Sequence, residues 1–175
     1  MTPRRPAHWM ERFASGALFC LAAATARAQG ADSAMARVER LAIAGDRATA
    51  RGIADSLLSA LSSTSPTYVD ALYWRAFTSS NAADAERDYL RLSVEFPLSP
   101  RAPDALLALA QLEYARGDRG AARRRFDRLL RDYPTGRHLA RASYWSARLA
   151  LEEGDRTAAC AALTTARRAA SADDV

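Results

Sequence analysis

Residues 116–134 have the sequence RGDRGAARRRFDRLLRDYP, and this stretch contains the most informative pattern for the fold. Gly117 suits the left-handed conformation that ends a helix, and Asp118 suits the position that caps the next helix. Small and apolar residues then follow at helical spacing, and a proline at the end prevents the helix from continuing. The stretch therefore predicts a tight turn and an amphipathic helix. The inward face of that helix is predicted to consist of Ala122, Phe126 and Leu129.

The tripeptide Gly-Asp-Arg of this turn occurs three times, at 45–47, 117–119 and 154–156. The copies begin 72 and 37 residues apart, which indicates a repeat of about 36 residues with one copy missing. The missing copy falls near Asn81, and asparagine is the next best residue after glycine for a left-handed turn. We therefore expect Asn81 to adopt the left-handed conformation in the second of four helical hairpins.

A second pattern recurs at the same interval. Residues 89–97 and 126–134 share an aromatic residue, a leucine three positions later and an aromatic–proline pair at the end. The proline marks the end of a helix in each copy. Together the two patterns predict eight helices in four antiparallel pairs. These span 32–44 and 46–62, 66–79 and 82–96, 102–116 and 118–132, and 137–153 and 155–170.

The composition of the 175-residue chain agrees with an all-α fold. Hydrophobic residues make up 49% and charged residues 26%, which is ordinary for a globular protein. Eight glycines and seven prolines are too few for a turn-rich β-sandwich. All 25 basic residues are arginine, which we attribute to a GC-rich genome because no site chemistry requires it.

Residues 1–28 resemble a secretory signal peptide. Basic residues come first, an apolar or small stretch of 14 residues follows at 13–26, and Ala26-Arg27-Ala28 matches the small-x-small cleavage pattern. The apolar stretch is short for a membrane-spanning helix, which needs about 20 residues. We predict cleavage before Gln29 and a periplasmic location. The basic residues before the apolar stretch are Arg4, Arg5 and Arg12.

Cleavage divides the chain into a signal peptide, 1–28, and a helical-repeat domain, 29–175. Two alternatives stay open, namely an uncleaved membrane anchor and lipid attachment at Cys20. Removal of the signal takes away four of the 25 basic residues and one of the 20 acidic residues, which leaves a net charge of +2. Such a weak positive charge argues against nucleic-acid binding.

The predicted mature chain keeps one cysteine, Cys160, and one histidine, His138. An internal disulfide and a His/Cys metal cluster are therefore excluded for it. The sequence contains no glycine-rich phosphate loop and no nucleophile elbow. We predict a non-catalytic binding scaffold without metal or cofactor, and a small enzyme with an unrecognised site remains the alternative.

These motifs resemble the tetratricopeptide repeat (TPR), over about residues 34–170. The resemblance implies an all-α, right-handed α-solenoid of about four helical hairpins, which binds proteins in a concave groove lined by the first helix of each hairpin. The third unit matches the repeat pattern most clearly. Its matching residues are Leu106, Leu109, Ala110, Gly117, Asp118, Ala122, Phe126, Leu129 and Pro134.

The junctions between units resemble those of exported bacterial TPR proteins. FPLSPRAPDAL at 96–106 and DYPTG at 132–136 are similar to junctions in the Tol-Pal-associated cell-division coordinator and in the outer-membrane lipoprotein of the β-barrel assembly machine. The resemblance implies a periplasmic adaptor that binds envelope proteins in cell division or cell-envelope assembly. The alternative is a membrane-tethered structural component of an outer-membrane assembly or secretion complex.

The usual TPR groove positions nominate protein-binding residues in three first helices. Arginine grips a carboxylate through two hydrogen bonds, and tyrosine adds flat contact area, so we expect an acidic or C-terminal peptide segment as ligand. The alternative is that the tyrosines pack between helices and the arginines are solvated. The nominated residues are Asp70, Tyr73, Phe77, Asp104, Leu107, Gln111, Tyr114, Arg141, Tyr144, Arg148 and Leu151.

Arg124, Arg128 and Arg131 lie at helical spacing and are expected on the outer face, partly neutralised by Asp127 and Asp132. A solvated surface is one interpretation, and binding of an acidic partner or an anionic envelope polymer is the other.

Four further side chains carry expectations about burial. Trp74 and Trp145 are predicted to pack in the core. Cys160 is predicted to be a small buried residue, and His138 is predicted to be exposed.

Overall fold

The computed structural model describes residues 29–170, and every regular element in that range is an α-helix. The all-α prediction is confirmed, and from the second helix onward each predicted bound lies within two residues of the observed one. The predicted signal peptide and the tail at 171–175 lie outside the described residues. The helices are α1 (29–43), α2 (Arg47–Ala60), α3 (Pro66–Phe77), α4 (Ala82–Glu95), α5 (Ala102–Ala115), α6 (Arg119–Asp132), α7 (His138–Glu152) and α8 (Arg156–Ala169).

The three Gly-Asp pairs form the predicted turns. Gly45, Gly117 and Gly154 have φ values of +89°, +91° and +81°. Each following aspartate caps the next helix, because its side chain accepts a hydrogen bond from the N–H three residues later. Its own N–H donates to a carbonyl five residues earlier in the preceding helix. The chain thus reverses with its helix-end groups satisfied on both sides.

The prediction for Asn81 is wrong. Its φ is −109°, and its side chain accepts a hydrogen bond from the N–H of Ala83, so it is the N-cap of α4. Asn81 therefore takes the place of the aspartate in the other turns. The preceding helix ends differently here, since the Thr78 hydroxyl donates to the carbonyl of Trp74 at 2.7 Å.

The helices α4 and α6 end just before the predicted prolines. The last backbone donors, Phe96 and Tyr133, still bond to carbonyls four residues earlier, and Pro97 and Pro134 then follow. The Tyr133 hydroxyl also donates to the carbonyl of Pro97 at 2.6 Å. The end of one hairpin is therefore bonded to the end of the hairpin before it.

The core runs without interruption from hairpin to hairpin. From α2 onward each helix packs on the next one in the chain, and α5 also contacts α7, while α1 shares a core cluster with α2. The buried residues form three clusters that share side chains: Leu58 and Tyr73 contact both the first and the second, and Tyr133 contacts both the second and the third. Alanine is frequent at the buried positions, which lets the helices approach closely. This arrangement is repeat-like, since each hairpin buries its apolar face against its neighbours.

The second and the third hairpin each contain an ion pair that joins their two helices. The basic residue lies on the first helix in one hairpin and on the second helix in the other. In the second hairpin Arg75 donates two hydrogen bonds of 2.7 Å to Asp88, which is buried. In the third, the acid is Glu113 on the first helix and the base is Arg125 on the second, joined by one bond of 3.2 Å. The other oxygen of Glu113 is buried and has no hydrogen-bond partner in the range that the structure describes.

Both tryptophans pack as predicted, but Cys160 does not. Trp74 is buried, and Trp145 stacks parallel to Phe126 with ring centroids 6.2 Å apart. Cys160 is exposed. It follows Ala159, the fully buried contact of α8, so it lies about 100° around the helix. On that side no other helix of residues 29–170 covers α8, and this is why the prediction of a buried thiol is wrong.

The turn geometry predicts opposite effects for two glycine-to-alanine substitutions. Gly117→Ala should lower the free energy of unfolding by about 1–2 kcal/mol, because alanine is disfavoured at positive φ. Gly52→Ala should raise it by about 0.5–1 kcal/mol, because Gly52 lies inside α2 with open space around its Cβ position. Urea denaturation followed by circular dichroism measures both. Equal effects of the two substitutions would contradict the assigned role of the turn.

Candidate protein-binding groove

The first helices α3, α5 and α7 carry the nominated binding residues, and six of these residues line one open cavity of about 500 Å³. We call this set the central groove. The floor of the cavity also includes small residues and Tyr89 of α4, so α4 lies behind it. The residues of the central groove are Tyr73, Phe77, Asp104, Leu107, Gln111 and Arg141.

One end of the central groove is aromatic. The rings of Tyr73 and Phe77 are nearly parallel, with centroids 6.4 Å apart, and Tyr73 meets Trp74 edge-on at 5.5 Å. The guanidinium group of Arg101 lies 4.9 Å from the Tyr73 ring centre, and that of Arg47 lies 5.7 Å from Phe77. Burial raises the pKa of Tyr73, so its phenol stays neutral and able to donate a hydrogen bond.

The nominated carboxylates, Asp70 and Asp104, are bound within the chain. Asp70 accepts a hydrogen bond of 2.6 Å from Arg101 Nε, and Asp104 accepts one of 2.6 Å from Arg137 Nη2. Arg101 Nη1 lies 3.9 Å from Asp104, and His138 Nδ1 lies 3.2 Å from it. We call these five residues the carboxylate network. The charges of the two aspartates are thus neutralised within the chain. Their ion pairs connect α3 to the start of α5 and α5 to the start of α7.

His138 is buried, and the prediction that it is exposed is wrong. It is the first residue of α7, and the packing of α7 on α5 places its ring against Asp104. Burial lowers the pKa of His138. The Asp104 carboxylate opposes that change, whereas Arg137 and Arg141 add to it.

Sequence reasoning missed Arg101 and Arg137, although a signal for them exists. Both are the N-cap residues of first helices, α5 and α7. They are 36 residues apart, which is the repeat period. Each binds an aspartate on the first helix of the hairpin before it. A basic residue at this repeated position thus links successive hairpins.

Two nominated residues, Tyr114 and Arg148, lie in a separate cluster between α5 and α7. The Tyr114 hydroxyl donates to Glu152, and the guanidinium group of Arg148 lies over the rings of Tyr114 and Trp145 at 5.2 and 4.9 Å. Glu152 also accepts a hydrogen bond of 2.6 Å from Arg119. The hydrogen bond from Tyr114 and the charge of Arg119 lower the pKa of Glu152, so it is ionised at neutral pH.

Other nominated residues border neighbouring cavities. Tyr144 is exposed and lines a cavity of about 300 Å³ between α7 and α8, together with Leu163 and Arg141. Arg141 therefore borders both this cavity and the central groove. Asp70 lines a third cavity, of about 690 Å³, beside Arg101 and Arg137. Leu151 is exposed near the end of α7.

No protein-family model matches the chain, and no curated protein and no solved structure is significantly similar to it. The resemblance to tetratricopeptide repeats therefore stays a prediction that rests on the motifs. Within residues 29–170, no three or more His, Cys, Asp or Glu side chains are grouped to hold a metal ion.

The buried His138 predicts a pH dependence of stability. Its pKa is lower in the folded protein than the ordinary value of about 6.5. The unfolded chain therefore binds more protons as the pH falls below about 7, and the free energy of unfolding should decrease between pH 7 and pH 5. Denaturation at several pH values measures the decrease. His138→Gln should flatten the curve over this interval, and an unchanged slope in that variant would contradict the assignment.

Proposed function

We propose that this chain is a non-catalytic, TPR-like adaptor of the bacterial periplasm, which binds an envelope protein in the central groove. The observation that carries the proposal is the central groove itself, because six residues from three helices line one open cavity. The proposed process is cell division or cell-envelope assembly, as the junction motifs imply.

Stacking of the hairpins into a right-handed solenoid is part of this proposal. It is supported by contacts that recur between hairpins, namely the shared core residues and the hydrogen bonds of Arg101, Arg137 and Tyr133 to the preceding hairpin. In a repeat protein each unit is stabilised by its neighbours, and the first helices together form an extended concave surface.

The chemistry of the central groove favours an acidic or C-terminal peptide segment. Tyr73 and Phe77 offer flat apolar surface, and the half-buried Gln111 offers an amide that matches a peptide backbone. Arg141 is exposed and lines two cavities, and we propose that its guanidinium group binds the carboxylate of the ligand. The charge of Asp104 is offset by Arg137 and Arg101, which reduces its repulsion of such a ligand.

The absence of catalysis is also proposed, and the positions of two side chains support it. His138 lies in the carboxylate network on α7, whereas Cys160 is exposed on α8. No hydrogen bond joins the two side chains in the structure of residues 29–170. A nucleophile–base pair requires such a bond.

Photocrosslinking from the central groove tests the proposed binding. A benzoylphenylalanine at position 111 should capture a discrete envelope protein in cells, because the half-buried Gln111 lines the groove. Adding Arg141→Glu should reduce the capture about tenfold or more, which corresponds to about 1.4 kcal/mol.

The matched control places the same crosslinker at position 87. Arg87 is exposed on α4. Within residues 29–170, it lines neither the central groove nor the cavities beside Asp70, Tyr144 and Arg124. Equal capture from positions 87 and 111, or capture that Arg141→Glu leaves unchanged, would contradict binding in the groove. Circular dichroism of each variant verifies that it is folded.

Mass spectrometry of the exported protein tests its location and attachment. We expect a mature chain that begins at Gln29 and carries no lipid. A chain that retains Cys20 with an acyl mass would favour the membrane-tethered component, and a full-length cytoplasmic chain would contradict export. None of the helices within residues 29–170 has the length and apolar character needed to cross a membrane.

A further inference from the structure

A fourth cavity, of about 300 Å³, lies beside α6 and is lined by four arginine residues. It shares no residue with the central groove. We call it the arginine site. Its residues are Glu113, Ala121, Arg124, Arg125, Arg128 and Arg131.

Two carboxylates hold three of the four arginines in place. Arg125 donates through Nε to Glu113 at 3.2 Å. Arg128 and Arg131 donate through Nε to the two oxygens of Asp132, at 3.1 and 3.3 Å. Arg128 also donates to the carbonyl of Ser93 at the end of α4, at 3.3 Å, which anchors it between two helices.

The positive charge at the arginine site exceeds the negative charge that contacts it. Four guanidinium groups meet two carboxylates, so two positive charges are left over. Within residues 29–170, Arg124 has no acidic partner within 4 Å, and Asp127, which was expected to neutralise this face, forms no ion pair. Two positive charges concentrated in one concave surface attract an anion.

Hydrogen-bond donors are also left over. The ion pair of Arg125 with Glu113 uses one nitrogen, whereas the equivalent pair of Arg75 with Asp88 uses two. Among the described residues, the remaining nitrogens of Arg125 and all those of Arg124 donate no hydrogen bond. Guanidinium donors in such number bind tetrahedral oxyanions through several bonds at once.

We propose that the arginine site binds the phosphate group of a phosphate monoester. A phosphate monoester carries a charge of about −1.5 to −2 at neutral pH and three acceptor oxygens, which matches the two surplus charges and the unused donors. A carboxylate carries one charge and satisfies only half of the surplus. The bound phosphate relieves the repulsion among the four arginines, so it stabilises the fold as well as occupying the site.

Isothermal titration calorimetry with two matched probes tests the proposal on the purified protein. Phenyl phosphate should bind saturably at physiological salt. Benzoate, which has the same ring but a single charge, should bind with an affinity lower by about tenfold or more. Arg124→Gln combined with Arg131→Gln should weaken the binding of phenyl phosphate about tenfold or more. Both side chains are exposed, so this variant keeps the buried pair of Glu113 and Arg125.

Arg156→Gln combined with Arg168→Gln is the control, because it removes the same charge from exposed positions of α8. It should change the affinity for phenyl phosphate less than about twofold. Equal losses in the two double variants, equal binding of benzoate, or no saturable binding of phenyl phosphate would each overturn the proposal.

Vesicles distinguish the source of the phosphate. The protein is sedimented with phosphatidylcholine vesicles that contain phosphatidic acid. If it co-sediments and the Arg124→Gln, Arg131→Gln variant does not, the ligand is a lipid headgroup. Binding of phenyl phosphate without sedimentation assigns it to a soluble phosphate ester. Both results support the arginine site.

Discussion

The chain reverses direction at Gly-Asp pairs in three of its four described hairpins, and each of these reversals depends on the access of glycine to positive φ. Only this conformation lets the last turn of one helix bond to the aspartate N–H while the aspartate side chain caps the next helix. The turns are short, so consecutive helices lie antiparallel and share their apolar faces. Within the first, third and fourth hairpins, the pairing of the two helices depends on this turn, whereas the second hairpin reverses through the Asn81 cap instead.

Several polar side chains between hairpins are bound within the chain and stabilise the packing of one hairpin on the next. Arg101 and Arg137 hold the aspartates that a groove would otherwise offer to a ligand, and Tyr114 is bound by Glu152. Such charge-assisted bonds across 31 to 38 residues fix the position of one hairpin on the next. The proposed groove chemistry therefore rests on Tyr73, Phe77 and Gln111, which form none of these hydrogen bonds, and on the exposed Arg141.

A chain without lysine relies on arginine for every basic contact. Guanidinium groups in this protein form ion pairs, lie over aromatic rings and donate to backbone carbonyls, roles that suit a planar group with five donors. In the second hairpin the charges balance within the pair of Arg75 and Asp88. On α6 they do not balance, and the excess is what distinguishes the arginine site from an ordinary solvated helix face.

The helices could be predicted from local sequence, because their ends depend on interactions within about five residues. Gly117 and Asp118 form their turn wherever the rest of the chain lies, and so do the helix ends before Pro97 and Pro134. The helix start at residue 82 was likewise predictable, although Asn81 marks it as a cap and not as a left-handed turn.

Which faces of those helices meet depends on long-range packing and could not be predicted from local sequence. The packing of α7 on α5 buries His138 against Asp104, and the uncovered side of α8 exposes Cys160. Neither outcome follows from local pattern, because burial and ionic contacts depend on the rotation of one helix against another that lies some 30 residues away. For the same reason the motifs located the first helices, whereas the cavity they enclose and the partners of their charged residues were visible only once the hairpins were in place.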